Sequence, residues 1–371
     1  MKKIWFCGLI IAGATLFGCG KSAGPEIVSE IKLGAAGPMT GPQAKMGSDM
    51  LHGVEMAVEE WNSKGGVLGK KVAVISKDDE AKEQQAQSVA YDFVNEGVAG
   101  VVGHFNSGCT IPASEVYHKS MIPMISPSST NPYVTDRKYQ NVFRVCGRDD
   151  TQGKVGAEFA VNVLKAKRVA VLHDKTQYGQ GLADEFKKNL GDAAEVVYYG
   201  GFPKEEQNFK PIITAVKEKN PELWYFGGIY DVAGPMVVQA RESGLMAPFM
   251  SGDGVIDPVF LKTAGTAAEN SYLTFARDPE NIPTAKAFLD KYHEKYGPHG
   301  PYSIYGYVAA DIILSAIQKS GSTDGAKVCE QIRADAYDGA LGQIKFDEKG
   351  DIIGSYYIMW IVKDGKFVPY Q

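Results

Sequence analysis

Two short hydroxyl-rich stretches carry the residue types best suited to chemistry. Val98–Ser114 reads VAGVVGHFNSGCTIPAS, and Ile125–Thr130 reads ISPSST. In the first, the apolar run Val98, Val101 and Val102, closed by Gly103, reads as a buried parallel strand, and Phe105–Thr110 as a loop. Ile111–Lys119 then reads as a helix, with Thr110 as its N-cap and Pro112 in the first turn, where a missing N–H costs nothing. A helix that begins just past a strand end aims unpaired backbone N–H groups, and the positive end of its dipole, into a crevice. That arrangement is a seat for an anion. The hydroxyls of Ser107, Ser128, Ser129 and Thr130 add donors without adding charge, which suits a small carboxylate better than a polyphosphate. Taken singly, each stretch reads as ordinary loop and cap residues; two of them on neighbouring strand ends turn the balance toward an anion seat.

The elements that must position these loops alternate. Ile31–Gly34 opens a strand that ends in the Gly- and Pro-rich loop Ala35–Lys45. A helix follows, with Leu51, Val54, Ala57, Val58 and Trp61 at helical spacing and Gly65–Gly66 stopping it. Lys71–Ile75 reads as a strand, Gln84–Asn95 as a helix and Ile122–Ile125 as a strand, an interval that implies a parallel sheet covered on both faces. At Thr151 the pattern restarts. Helices are expected over Thr151–Leu164, up to Leu190, over Phe209–Lys219 and over Val232–Ser243. They alternate with strands at Arg168–His173, Glu195–Tyr199, Leu223–Phe226 and Phe249–Ser251. The chain therefore reads as α/β, with two similar doubly wound domains. Two more helices, Ala285–Tyr296 and Tyr305–Gln318, and strands at Gly342–Phe346 and Ser355–Val362, follow in the tail.

At 371 residues, 44% hydrophobic and 22% charged, the chain can bury a large core, and its length points to two domains. The formal net charge of -5, without a Lys/Arg run, argues against a nucleic-acid partner. Lys2 and Lys3 form a charged n-region, Ile4–Phe17 an apolar h-region, and Leu16-Phe17-Gly18-Cys19 matches a bacterial lipobox, with Phe17 bulkier than the usual residue there. The apolar run is too short for a comfortable membrane span and reads as a targeting segment, residues 1–18. Resemblance to lipoprotein signals implies cleavage before Cys19, lipid on its thiol and a tether over 19–30; an ordinary secretory signal cut elsewhere, or an uncleaved anchor, is the alternative. Of the five cysteines, Cys109, Cys146 and Cys329 remain in the folded part. A Cys109–Cys146 bridge is open in an oxidising compartment, with free buried thiols the default.

In order and spacing, several motifs together resemble the periplasmic leucine/isoleucine/valine-binding proteins, type I solute-binding components of branched-chain amino acid ABC transporters. They are Leu33-Gly-Ala-Ala-Gly-Pro-Met-Thr-Gly41, Asn62-Ser-Lys-Gly-Gly66, Asp78-Asp79, Gly103-His104, Pro112-Ala-Ser114, His173-Asp-Lys-Thr-Gln-Tyr-Gly179, Tyr225-Phe-Gly-Gly228 and Asp347-Glu-Lys-Gly-Asp351. The resemblance covers nearly the whole mature chain. It implies two lobes joined by a three-crossing hinge, lobe 1 from 31–148 and 276–354, lobe 2 from 149–275 and 355–371, with the ligand between them. It implies that Ser107, Ser128 and Thr130 hold the ligand's α-carboxylate and offer a carbonyl to its ammonium. Tyr178, Tyr230 or its neighbour Ile229, and Asp253 would act from the second lobe, and Met46 and Tyr302 would line the side-chain pocket.

The chemistry of the residues agrees with this assignment. A zwitterion needs donors at one end and a carboxylate at the other. Asp253, in the turn Ser251-Gly-Asp-Gly254 directly after an apolar strand, supplies the counter-charge, although an Asp-Gly pair also serves turns. The sequence departs from the family in three places. The positions of the reference disulfide carry Ala81 and Asn106, the aromatic of Gly-Gly-Tyr is displaced to Tyr230, and Asp253 stands for a longer Glu.

The expected function is an extracytoplasmic solute-binding component that delivers a branched-chain or similar aliphatic L-amino acid to an integral-membrane permease. Its expected place is the periplasm or cell envelope, as a lipid-anchored monomer. A sensor subunit presenting amino acids, amides or aromatic acids to a membrane receptor is the alternative. An enzyme is not expected, because G-x-S-x-G, G-x-x-x-x-G-K-[ST] and H-E-x-x-H are all missing from the sequence. No cofactor or metal is expected, and His104 and His173 read as strand-end residues with satisfied hydrogen bonds.

Overall fold

The computed structural model describes residues 1–3, 30–354 and 357–371. The signal segment from residue 4 onward, Cys19 and the tether up to residue 29 lie outside the described residues. Among those described, no helix is long and apolar enough to cross a membrane.

Buried apolar runs fall at the predicted strand positions because both faces of each sheet are covered by helices, leaving no polar side for the chain to alternate toward. The first half builds β1 (Ile31–Gly37), α1 (Ala44–Ser63), β2 (Val72–Asp78), α2 (Glu83–Glu96), β3 (Gly100–Val102), α3 (Ser107–Lys119) and β4 (Met124–Ser126). The short α4 (Tyr133–Asp136) and β5 (Val142–Arg144) complete it. These strands form a parallel sheet in the order β2-β1-β3-β4-β5.

The second run contains α5 (Asp149–Asn162), β6 (Arg168–His173), α6 (Gln177–Leu190), β7 (Glu195–Gly201) and α7 (Lys210–Glu218). It continues through β8 (Leu223–Gly227), α8 (Tyr230–Glu242), β9 (Phe249–Ser251), α9 (Pro258–Ala264) and β10 (Tyr272–Phe275). Then come α10 (Lys286–Tyr296), α11 (Ser303–Ser320), α12 (Gly325–Ala334), the hairpin β11 (Ala336–Gly339) and β12 (Gly342–Lys345), and finally β13 (Ile358–Lys363) and β14 (Lys366–Pro369). The second sheet runs β14-β13-β10-β9-β8-β6-β7, with β13 and β14 antiparallel at one edge of an otherwise parallel set. Its core is aromatic: Trp224, Tyr225, Phe226 and Phe249 are fully buried or nearly so, each side chain contributing about 1.5–3 kcal/mol of burial.

The fold is thus two doubly wound lobes, and the chain passes between them three times. It leaves the first sheet after β5 and returns after β10 to place α11 against α1, β3 and β4. It leaves again after β12 to add β13 to the second sheet. The α1–α11 contact depends on Gly53, where a Cβ would sit 2.0 Å from the Ser303 carbonyl oxygen.

One expectation is corrected here. Thr110 does not cap the third helix: α3 starts at Ser107, with the amides of Cys109 and Thr110 donating to the Asn106 carbonyl. Small residues at Ser107, Gly108 and Cys109 let the turn begin early, and the Thr110 hydroxyl is bonded instead to His104 O and Ser129 Oγ. Cys109 and Cys146 are not bridged; they and Cys329 are free, buried thiols. His104 is a satisfied core histidine, between the Asp79 carboxylate (2.8 Å) and the Tyr117 hydroxyl (3.0 Å).

Candidate functional site

In open parallel sheets ligands bind beyond the carboxyl ends of the strands, where the strand order reverses. Both sheets bring those ends to one cleft. Phe105, Asn106 and Ser107 follow β3, Ser128 follows β4, Tyr178 follows β6, Ile229 follows β8, and Asp253 and Gly254 follow β9. With Tyr302, which precedes α11, these residues line one small cavity.

The wall from the first sheet is neutral. The ladder of α3 begins with the amides of Cys109 and Thr110, so those of Ser107 and Gly108 stand outside it at the positive end of the helix dipole. Ser107 Oγ accepts from the Asn131 amide (3.3 Å), which leaves its own proton to donate. Ser128 and Ser129 are different: each hydroxyl donates to the Phe105 carbonyl, at 2.8 and 3.0 Å. Thr130 is fully buried, and its carbonyl accepts from the Asp149 amide (2.9 Å).

Behind this wall lies Arg144, fully buried on β5. It donates to the carbonyls of Ser129 (2.8 Å) and Asn131 (3.0 Å) and pairs with Asp351 (2.5 Å). It therefore fixes the loop on which Ser128 and Thr130 sit.

The opposite wall is acidic. Asp253 is 3% exposed and sits in a 3-10 turn. Oδ1 accepts from the Tyr178 hydroxyl (2.7 Å) and Gln152 Nε2 (2.9 Å), and Oδ2 accepts from the Tyr302 hydroxyl (2.5 Å). All three donors are neutral. Burial raises the Asp253 carboxyl above its ordinary range, with the three hydrogen bonds pulling the other way. Gly254 is required here because its amide donates to Tyr178 Oη (2.9 Å), and a Cβ would lie 2.9 Å from that oxygen. Asp149, fully buried, is pushed well above the usual carboxylate range by burial first and the Asp253 charge second. Among the described residues no group has hydrogen-bonding geometry to Thr130 Oγ1, Gln152 Oε1 or either Asp149 oxygen, although Thr130 is near enough to favour the charged form of Asp149.

The remaining expected site residues sit elsewhere in the cleft region. Tyr230 is the first residue of α8 and bridges the lobes, donating to the Pro42 carbonyl (2.9 Å); it is its neighbour Ile229 that lines the cavity. Met46 lies in the first turn of α1, buried in the hydrophobic core and away from the cavity surface. Further bonds span the cleft from Asn131 Nδ2 to Gln177 O (2.7 Å) and from Lys204 Nζ to Ala81 O (2.8 Å). Sequence reading missed Gln152, Phe105 and Asn106 as site residues. Gln152 was hidden in a helix start whose Asp149-Asp150-Thr151 run signals only an N-terminus.

A second, mostly apolar cavity meets the first at Asp253 and Tyr302 and is lined by Phe275, Tyr305, Ile344 and Tyr357 among others. A family model described as periplasmic binding protein matches residues 30–366. The chain belongs to that family.

An amino acid binding protein from Pseudomonas aeruginosa is 39% identical over 99% of this chain and 98% of its own. The Leu/Ile/Val-binding protein homolog 2 of Brucella abortus is 38% identical over the whole of both. Among solved structures, a leucine binding protein from Thermotoga maritima aligns with a TM-score of 0.86 at 31% identity, covering 92% of this chain and 98% of that one. The branched-chain amino acid transporter substrate binding protein of Streptococcus pneumoniae, in complex with isoleucine, aligns with a TM-score of 0.84 at 28% identity, over 92% and 100%. The chain is thus a solute-binding protein of the ABC-transporter type, with the two-lobed α/β fold of these relatives.

Proposed function

We propose that the protein binds a branched-chain or similar aliphatic L-amino acid between its lobes and delivers it to an integral-membrane ABC permease. The observation that carries this reading is the polarity of one small chamber. A free hydroxyl proton on Ser107 and the unbonded amides of α3 stand on one side, and Asp253, hydrogen-bonded only by neutral donors, stands on the other. The α-carboxylate takes the Ser107 side together with the Thr130 loop. The ammonium takes Asp253. Phe105, Ile229, Tyr178 and Tyr302 leave an apolar surface for an uncharged side chain. Closure of the lobes excludes water and strengthens both charged contacts.

Titration calorimetry of the ligand-freed protein against the common L-amino acids tests the reading. Leucine, isoleucine or valine should bind far more tightly than lysine or aspartate, and than the matching carboxylic acids that lack an amino group. Equal affinity for an acid without an ammonium, or no binding of any aliphatic amino acid, would overturn it. The lipobox at Leu16–Cys19 supports attachment to a membrane through a lipid on Cys19. Labelling cells with a radioactive fatty acid should mark the protein, and Cys19→Ala should abolish the label.

A further inference from the structure

The passage from β10 back to α11 holds a cluster that the cleft does not use. Glu280 sits in the 3-10 turn Pro279–Asn281, His293 in the last turn of α10, and His299 in the loop ahead of α11. One ligand atom from each lies within 4.8 Å of the others. Glu280 Oε1 is 3.9 Å from His293 Nε2 and 3.7 Å from His299 Nε2. Those separations are too long for hydrogen bonds. They are close to the edge of about 3.4 Å that ligands bonded at about 2.1 Å to a tetrahedral ion make with one another.

The tautomer of one ring is set for coordination. His299 Nδ1 lies 3.1 Å from the Gly300 carbonyl, which can only accept, so Nδ1 carries the proton and Nε2 keeps its lone pair. A backbone carbonyl behind the non-coordinating nitrogen is the usual support for a metal-binding imidazole. The two rings stack at 5.5 Å with their planes 15° apart. Both Nε2 atoms therefore lie near the same carboxylate oxygen. The side chains of Glu280, His293 and His299 are 53%, 42% and 18% exposed, so an ion can enter from solvent and water can complete its shell.

We propose that Glu280, His293 and His299 form a binding site for one divalent ion of the zinc class. Two imidazoles and one carboxylate favour borderline transition ions over magnesium or calcium, which take oxygen ligands. The ion would tie the turn after β10 to the end of α10 and to the loop entering α11. That loop ends at Tyr302, whose hydroxyl reaches Asp253. The Gly300 carbonyl that supports His299 also accepts from the Ser303 amide (3.2 Å), so the tie reaches the first turn of α11.

Zinc is titrated against a chromophoric chelator into metal-stripped protein prepared without a polyhistidine tag. One ion should bind per chain. Glu280→Gln, His293→Gln and His299→Gln should each weaken binding tenfold or more, and the double histidine variant should abolish it. Glu280 and His293 are exposed and His299 half-buried, so circular dichroism should show each variant folded. Amide hydrogen exchange over residues 297–302 should slow with zinc in the parent protein and not in the double variant. Absence of binding, or binding that survives the double substitution, would overturn the site. Bound zinc with unaltered exchange over 297–302 would overturn the tie.

Discussion

Both walls of the cleft contain a fully buried charge, and the two are handled in opposite ways. Arg144 lies behind the first wall, paired with Asp351 and hydrogen-bonded to two loop carbonyls, so its charge is answered from within the protein. Asp253 faces the chamber and receives only neutral donors, so its burial is left partly unanswered and its carboxyl is pushed up. A buried charge with an internal partner organises structure, whereas one without a partner is poised for a cation that arrives from outside. On the function proposed above, the difference between the walls separates a scaffold charge from a recognition charge.

Substituting each charge should break the comparison cleanly. Arg144→Met leaves Asp351 with Arg148 (2.7 Å) as its remaining arginine partner but strands the buried carbonyls of Ser129 and Asn131, and should cost about 3–5 kcal/mol of folding stability, read by urea denaturation. Asp253→Asn should leave the denaturation midpoint unchanged or raise it, because an uncompensated buried charge is removed. The same variant should lose about 2–5 kcal/mol of amino-acid affinity by calorimetry, the cost of leaving a buried ammonium without its counter-charge. If Asp253→Asn were destabilising while affinity held, the two walls would not differ in the way argued.

Within the neutral wall the hydroxyls differ as well. Ser107→Ala removes a donor whose proton is free and should cost about 1.5–3 kcal/mol of affinity, as expected for a hydrogen bond to a charged group. Ser128→Ala removes a bond to the Phe105 carbonyl and should cost about 0.5–1.5 kcal/mol, mainly in stability. Equal losses of affinity in the two variants would mean that the Ser128 hydroxyl turns toward the ligand.

Which of these features can be read from the sequence follows from the range of the interaction. The strand–loop–helix unit at the cleft was legible because its parts are consecutive, although the helix starts at Ser107 and not after Thr110. Asp253 was legible as a strand-end carboxylate. Its donors were harder to foresee: Gln152, Tyr178 and Tyr302 are 101, 75 and 49 residues away in sequence, and only the packed lobes bring them together. Arg144 carries no local signal, because its partner Asp351 is 207 residues distant and belongs to the third passage between lobes. In the same way β10 was missed, since the four-residue strand Tyr272–Phe275 is held by its neighbours and not by its own pattern.

The smallest effect, and the one that sharpens the comparison most, is a dependence on pH. Burial raises the Asp253 carboxyl in the ligand-free protein, so as pH falls through that raised value the group takes up a proton while the unfolded chain has not yet done so. The folded, ligand-free protein consequently gains stability as pH falls in this window and loses it as pH rises. An ammonium beside Asp253 favours the ionised form and lowers its value in the complex, so ligand binding must run the other way, weakening as pH falls through the same window and releasing a proton as it occurs. Calorimetry in buffers of different ionisation enthalpy should detect that proton, and Asp253→Asn should remove it. A pH dependence of affinity that survives in Asp253→Asn would move the recognition charge to Asp149, whose carboxyl is raised by the same burial on the same wall.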